Sequence, residues 1–332
     1  MDYSIIVCTY NQEDRLLERC LDSIQSLELN GLNVEIILVD NNSNIPLAKR
    51  EGVIRRLQSD LRVRIVSVLE QGLIKARLAG IKEAKGSYIV FFDDDNEPDK
   101  NYLLSLSTLW ETYPDVGAWG PGIVEVDFVD GVASPRFQEL APIFQQKRNL
   151  FVEYAMIRQW QSCYPLGTGL CIKRELTNDY VEGIEEGRFS LTGRNGGKMT
   201  SGDDTQLVMT VIAQGKAAGT SPSLSLIHMI TSEKLKPDYL KKLVFGTSSC
   251  YHMFHVEVLP EYSQKIESQV RKLSKKRELR LLKEYYKLKL RPDLFKTLRF
   301  IESLGSSVGV YYGNKIEAPA IYQKLIRKLK LD

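Results

Sequence analysis

Paired cysteines are missing from this chain. Cys8, Cys20, Cys163, Cys171 and Cys250 form no CxxC pair, which excludes a cysteine-based structural zinc site and a disulfide framework and leaves thiols expected in the interior. Also missing is any run of about 18 uninterrupted apolar residues, the requirement for a bilayer-crossing helix. The amino-terminal segment lacks the basic-then-apolar order of a secretion signal. The expected location is cytoplasmic, extending to a peripheral place on the cytoplasmic membrane face. No internal repeat or low-complexity segment is present. The turns after the first two apolar runs contain neither GxGxxG nor GxxxxGK followed by Ser or Thr, so the two commonest glycine cradles for phosphate are excluded.

What is there is an ordinary globular composition: 332 residues, 43% hydrophobic and 26% charged, enough for one large domain or two modest ones. The net charge of +3 hides an asymmetry. From Lys265 onward about 18 Lys or Arg face about 7 Asp or Glu, leaving about 27 basic and about 35 acidic side chains before it. A basic, helix-prone tail meets an anionic membrane surface or is a solvated helical face; nucleic acid is the weakest reading and no nucleic-acid partner is expected.

Apolar runs at Ser4–Thr9, Val34–Val39, Val63–Val68 and Ser87–Phe92 recur about every 25 to 30 residues with helix-length segments between them. This is the alternation of a parallel sheet covered by helices. In the first connection Leu16, Leu17, Cys20, Leu21, Ile24 and Leu27 share one face, with Asn11 or Asp14 as the cap. In the third, Leu73, Ile74, Leu78 and Ile81 point inward, Lys75, Arg77, Lys82 and Lys85 mostly outward, and Gly86 ends the helix. A helix to about Tyr113 follows, then a mostly apolar stretch over Val116–Val129, broken by Gly117, Gly120, Pro121 and Gly122 and alternating from Ile123. The segment from Asp130 to Ser162 reads as a loop with one helix carrying Phe151, Tyr154, Ile157 and Trp160. A strand over Leu166–Lys173, a helix over Asp204–Ala213 and a last strand over Ser223–His228 complete the pattern, and from Pro237 the chain reads as helical.

Ligands of open parallel sheets bind outside the carboxyl ends of the strands. The first strand ends in Thr9-Tyr10-Asn11, the second in Asp40-Asn41-Asn42-Ser43, the fourth in Asp93-Asp94-Asp95. Were the extended geometry to persist past Phe92, Asp93 and Asp95 would point to one side and Asp94 to the other, making a two-carboxylate claw for Mg2+ or Mn2+. An acidic strand-to-helix turn with one Asp capping a helix near Pro98 is the alternative. Asp40-Asn41-Asn42-Ser43 reads equally as an Asx-rich turn.

Val7 to Asn11, Val39 to Ser43, Gly72 to Arg77 with Gly80 and Gly86, and Ile89 to Asp95, followed by Gly167-Thr168-Gly169 and Ser201 to Leu207, resemble in order and spacing the family 2 glycosyltransferases of GT-A fold. The resemblance implies a Rossmann-like, mostly parallel sheet flanked by helices. It implies a catalytic domain over residues 1–235, with a nucleotide-binding half at 1–110 and an acceptor half at 111–235, and a basic helical region over 236–332. It also implies inverting transfer of a hexosyl or N-acetylhexosaminyl group from a nucleotide sugar, most often a UDP sugar, with Mn2+ or Mg2+. Carried over, Thr9, Tyr10, Asn11, Asp40, Asn41, Arg77, Asp93 and Asp94 would hold the nucleotide sugar, Asp93 and Asp95 the metal, and Asp203 and Asp204 would stand for the family's Glu-Asp motif. Asp204 matches the catalytic base. Asn41 stands where the family often has a second Asp.

Inversion by a single displacement needs a base for the acceptor hydroxyl and an electrophile for the leaving diphosphate. Asp204 is read as the base or, on local pattern alone, as a helix cap. His228 reads as a metal ligand or as a hydrogen-bonded strand-end histidine. His252 and His255 read as surface or packing residues. Trp110, Trp119 and Trp160 read as core, Trp119 also as an acceptor platform. Gly187 to Ser201, with Gly193, Gly196 and Gly197 among Arg188, Arg194 and Lys198, has the composition of a mobile lid or of a plain surface loop. Leu298, Ile301, Leu304, Val308 and Tyr312 share a helix face, expected either to lie in a membrane interface or to pack on the body. The expected acceptor is a saccharide, in particular a lipid-linked oligosaccharide of surface polysaccharide synthesis. A nucleotidyltransferase of similar fold and a catalytically silent nucleotide-sugar binding module are the competing readings.

Overall fold

The computed structural model describes residues 1–332 apart from 192, 196, 197, 200, 273, 274 and 332. In chain order the elements are β1 (Tyr3–Thr9), α1 (Asp14–Gln25), β2 (Val34–Asp40), α2 (Glu51–Ser59), β3 (Val63–Ser67), α3 (Leu73–Glu83), β4 (Tyr88–Asp93), β5 (Asn96–Pro98), α4 (Tyr102–Thr112) and β6 (Val116–Phe128). Then come β7 (Lys147–Arg148), β8 (Glu153–Ala155), β9 (Leu170–Lys173), α5 (Asn178–Glu185), α6 (Asp203–Ala213) and β10 (Ala217–Ile230). Helices α7 (Pro237–Val258), α8 (Tyr262–Lys272), α9 (Lys275–Leu290), α10 (Leu294–Gly313) and α11 (Ala320–Leu329) follow. The chain forms two compact units: residues 1–185 with 207–232, and residues 186–206 with 233–332.

The first unit is built on one mixed sheet in the order β3-β2-β1-β4-β9-β6-β10-β5. Strands β3, β2, β1 and β4 are parallel, β9 runs antiparallel to both β4 and β6, and β6 is parallel to β10. Every residue of β2 is buried, and β1 nearly so, as a strand covered on both faces requires. Leu16, Leu17, Cys20, Leu21 and Ile24 of α1 join the core with Val7, Phe92, Tyr102, Trp110 and Trp119. Trp119 is fully enclosed, so it is core and not an acceptor platform.

Several local expectations are corrected. Glu13, not Asn11 or Asp14, precedes α1, and it makes no side-chain cap. Helix α3 stops at Ala84; Gly86 instead lies against β1, where its N–H donates to Ser4 Oγ at 2.8 Å and a Cβ would sit 2.5 Å from Ser4 N. Arg77, expected outward, is buried. No helix covers 151–160: Tyr154 lies in β8, which pairs antiparallel with β10, while Phe151 and Ile157 are exposed. Aromatic spacing mimicked a helical face that the edge strand does not have. Of the five thiols, Cys20, Cys171 and Cys250 are buried and Cys8 and Cys163 half-buried.

The second unit is helical. Its core joins Phe245 of α7, Leu281 of α9, Phe300, Ile301, Leu304 and Val308 of α10, and Tyr322 and Leu325 of α11. Gly305, Gly309 and Gly313 let α10 approach α7 closely: a Cβ at Gly309 would lie 2.7 Å from the Ser249 carbonyl oxygen and one at Gly313 2.7 Å from His252 Cβ. The face expected in a membrane interface is therefore spent on packing; of its five residues only Tyr312 is exposed. Among the described residues no helix is long and apolar enough to cross a membrane.

His252 and His255 are packing residues. Their rings join Tyr251, Phe254 and Tyr262 on α7 and α8, with His255 and Tyr262 stacked at 4.6 Å. Burial pushes both imidazoles down to about 4. The folded unit thus holds them neutral, while the unfolded chain protonates them near an ordinary pKa of about 6.5. Their contribution to stability is complete above about pH 6.5 and is lost as the pH falls from there toward 4, by up to about 3 kcal/mol for the enclosed His255 and by less for the half-buried His252. Thermal unfolding between pH 7 and 5 should show a falling midpoint, with a flatter profile in His255→Phe. A midpoint that does not move would show that these rings are hydrated.

Candidate active site

Strand register brings three of the expected ends to one edge of the first unit. Thr9 pairs with Asp40 across β1 and β2, and Cys8 with Asp93 across β1 and β4. The chain leaves β1 for β2 on one side and returns to β4 on the other, so the crevice at these carboxyl ends is a topological switch point.

At the acidic triplet the extended geometry stops at Asp93; Asp94 and Asp95 form a turn before β5. The reason is Asn96, whose Oδ1 accepts from Asp93 N–H at 3.1 Å and whose Nδ2 donates to Asp95 Oδ1 at 3.2 Å. The three carboxylates therefore have separate partners. Asp93 Oδ2 accepts from Thr168 Oγ1 at 3.2 Å and Oδ1 lies 4.0 Å from Arg77 Nη2. Asp94 accepts from Gln12 Nε2 at 2.7 Å. Asp95 is buried, with Oδ1 3.5 Å from His228 Nε2. None of the three caps α4, which begins at Tyr102 after Asn101.

His228 lies within β10, two residues before its end. Its Nδ1 is 2.9 Å from the Phe144 carbonyl oxygen, which only accepts, so Nδ1 carries the proton and Nε2 is left facing the Asp95 carboxylate. A lone pair against a carboxylate is repulsive unless a proton or a cation sits between them, and a backbone carbonyl behind the imidazole is the usual second partner of a metal-bound histidine. Among the described residues no three His, Cys, Asp or Glu side chains gather into an ion site by themselves. The donor set fits a cation held by Asp95 and His228, with Asp93 nearby in the chain and the remaining positions left to phosphate oxygens and water. An imidazole in that set favours Mn2+ over Mg2+.

The β1 and β2 ends use most of their polar groups on each other. Asp40 accepts from Ser43 N–H at 3.0 Å and Leu47 N–H at 2.8 Å. Asn41 donates to the Glu70 carbonyl at 2.9 Å and accepts from Gly72 N–H at 2.8 Å. Asn11, in the left-handed region at φ 53°, accepts from Asn44 N–H at 2.7 Å. These three side chains brace the loops. Thr9 Oγ1 is different: it is buried with no hydrogen-bond partner, and Tyr10 beside it is exposed. Gln12 and Asn96, which orient the triplet together with Thr168, were not among the expected site residues; Thr168 lies in the Gly167-Thr168-Gly169 run that the resemblance singles out.

Asp203 and Asp204 belong to the second unit and stand in the first turn of α6, where carboxylates suit the helix dipole. The helix begins at Asp203, so Asp204 lies inside it and is not its cap. Gly202, at φ 104°, precedes it, with its Cβ position 2.8 Å from Cys250 Sγ. Glu257 of α7 accepts from Gln206 Nε2 at 2.7 Å and from Ser190 N–H at 3.1 Å, tying the start of α6 and the segment after Arg188 to one helix. Gly196 and Gly197 of the expected lid lie outside the described residues.

Acids at the switch point, one of them 3.5 Å from a histidine on β10, make this end of the sheet the candidate ligand site of the first unit. Residues 4–177, more than half of the chain, match the family described as glycosyl transferase family 2, and the chain belongs to that family. It is 40% identical over 93 residues to the uncharacterized glycosyltransferase EpsJ of Bacillus subtilis, covering 28% of this chain and 26% of that protein. It is 34% identical over 113 residues to the GalNAc(5)-diNAcBac-PP-undecaprenol beta-1,3-glucosyltransferase of Campylobacter jejuni, covering 32% of this chain and 33% of that one. It is also 30% identical over 112 residues to the inactive polypeptide N-acetylgalactosaminyltransferase-like protein 5 of Mus musculus, covering 31% of this chain and 24% of that protein. These matches span about a quarter to a third of the relatives' lengths. In fold the chain is similar to GalNAc-T7 crystallised with UDP, GalNAc and Mn2+, at a TM-score of 0.50 and 17% identity over 81% of this chain and 51% of that one.

Proposed function

We propose that this protein is an inverting glycosyltransferase that moves a hexosyl or N-acetylhexosaminyl group from a UDP sugar to a hydroxyl of a saccharide acceptor. The observation that carries the reading is the Asp95–His228 pair, 3.5 Å apart, with His228 Nδ1 held by the Phe144 carbonyl and Nε2 turned to the carboxylate. Bound there, Mn2+ or Mg2+ supplies charge neutralisation for a diphosphate leaving group. Thr9, with its unpartnered hydroxyl, the exposed Tyr10 and buried Arg77 bind the nucleotide; Asp40, Asn41 and Asn11 hold the walls of its site, and Asp93 and Asp94 orient the sugar side. In this reading Asp204 takes the proton of the acceptor hydroxyl as the new C–O bond forms and the anomeric carbon's bond to the diphosphate oxygen breaks, releasing UDP, and Asp203 holds the first turn of its helix. The catalytic domain is proposed to span residues 1–235, with the basic helical region after it.

The acceptor is proposed to be lipid-linked, supported by the undecaprenol-linked substrate in the name of the Campylobacter relative and by the basic helical region. The test is a panel of UDP sugars with and without Mn2+: one sugar should give metal-dependent release of UDP that rises with a saccharide acceptor. A silent binding module, the second reading, is favoured by the inactive mouse relative. Donor binding with no turnover on any acceptor would establish it.

A further inference from the structure

Helix α9 buries one side in the second unit, where Leu281, with Leu282, Tyr285 and Leu288, packs on the core. Its other side is unusual for a solvated helix. Leu279, Tyr286 and Leu290 are 59%, 50% and 82% exposed and fall within an arc of about 40° at 3.6 residues per turn. Lys283 borders the stripe, Lys276 and Lys287 lie farther out on the same side and Lys289 on the other, and all four are exposed. Glu284, the exposed acid of this helix, points away from the stripe. Beside it an open groove of about 310 Å³ between α9 and α11 is lined by Tyr285, Tyr286, Ile321 and Leu325, with Lys324 and Lys328. Lys328 Nζ lies 5.7 Å from the Tyr285 ring centroid. Helix α11 carries no acid and adds exposed Arg327, with Lys330 just past its end.

We infer that α9 and α11 form a docking surface for a bilayer containing acidic phospholipids, with Leu279, Tyr286 and Leu290 entering the interface and the lysines meeting headgroup phosphates. Three properties select a bilayer. Lys283, between Leu279 and Tyr286 along the helix and bordering the apolar stripe, extends its ammonium past its own stem to a charged headgroup, whereas the core of a protein interface is depleted of lysine and would have to bury that charge. The cations on both flanks complement an anionic plane rather than a single acidic residue. A row of exposed Leu and Tyr gains apolar burial at a membrane interface and nothing from nucleic-acid phosphates. The inference rests on the proposed lipid-linked acceptor only for its purpose, since it gives the surface at which such an acceptor is met; its geometry lies wholly within the second unit.

The experiment is flotation of the full chain with vesicles of phosphatidylcholine alone or with about a third phosphatidylglycerol, at low and high salt. Binding should be at least about ten-fold tighter to the anionic vesicles and weaken toward about 1 M salt, where the Debye length is about 3 Å. The triple variant Leu279→Ser, Tyr286→Ser, Leu290→Ser should lose flotation while keeping its unfolding temperature, because the three side chains are exposed. Lys283→Gln with Lys287→Gln should lose the preference for anionic vesicles. Equal partition into both vesicle types, or a triple variant that floats like the parent, would overturn the inference, as would a dimer that forms through this stripe in sedimentation and excludes vesicles. Failure of transfer to a lipid-linked acceptor with flotation intact would count against the proposed acceptor and leave this surface standing.

Discussion

Asp95→Ala is expected to lower sugar transfer by about 10²- to 10³-fold, the loss typical of removing one group aimed at developing charge. The side chain is buried and faces His228 Nε2 across 3.5 Å, so the variant removes a negative charge from an enclosed place at the sheet edge where the leaving diphosphate is proposed to sit. Asp95→Asn should fall nearly as far, because an amide keeps the shape and the hydrogen bond with Asn96 but not the charge. The backbone supports the distinction from a folding defect: the Asp95 carbonyl accepts from Met229 N–H at 2.8 Å, a bond that neither substitution removes. Initial rates with saturating donor, read beside the unfolding temperature, check this. Equal activity in parent and both variants would remove Asp95 from the site.

Asp204→Asn is expected to cut kcat by about 10²- to 10⁴-fold, the range of general base catalysis, while UDP-sugar affinity changes little. The split follows from the proposed roles: the base acts on the acceptor, and the nucleotide contacts lie in another compact unit. The amide keeps a polar group in the first turn of α6, and Gln206 keeps its bond to Glu257, so the helix start should survive. Asp203→Asn should be milder. Stopped-flow or quenched-flow rates against donor binding by calorimetry separate the two; a variant that weakens donor binding with kcat intact would reassign Asp204 to binding.

The parallel half was readable because buried parallel strands demand near-continuous apolar runs, and Tyr3–Thr9, Val34–Asp40 and Tyr88–Asp93 have them. Their ends then announced the crevice. Side-chain direction inside the crevice was less readable. Alternation through Asp93-Asp94-Asp95 fails because Asn96 folds back on the triplet, a contact between neighbours that no periodicity encodes. Arg77 looked solvent-facing by charge, yet it is buried with a guanidinium nitrogen 4.0 Å from Asp93. The stripe on α10 had the right period but no sequence feature names its partner, and α7 covers it. The exposed apolar row lies instead on α9, at Leu279, Tyr286 and Leu290, where leucines alternate with lysines and the period is harder to see.

The proposed cation site at Asp95 and His228 would receive the diphosphate of a nucleotide sugar at the carboxyl ends of β1, β2 and β4. A crystal grown with Mn2+ and UDP tests it most directly. Anomalous manganese density is expected within ligand distance of Asp95 and His228, with the UDP phosphates on it and the nucleoside beside Thr9 and Tyr10. Manganese bound elsewhere, or UDP seated away from that sheet edge, would contradict it.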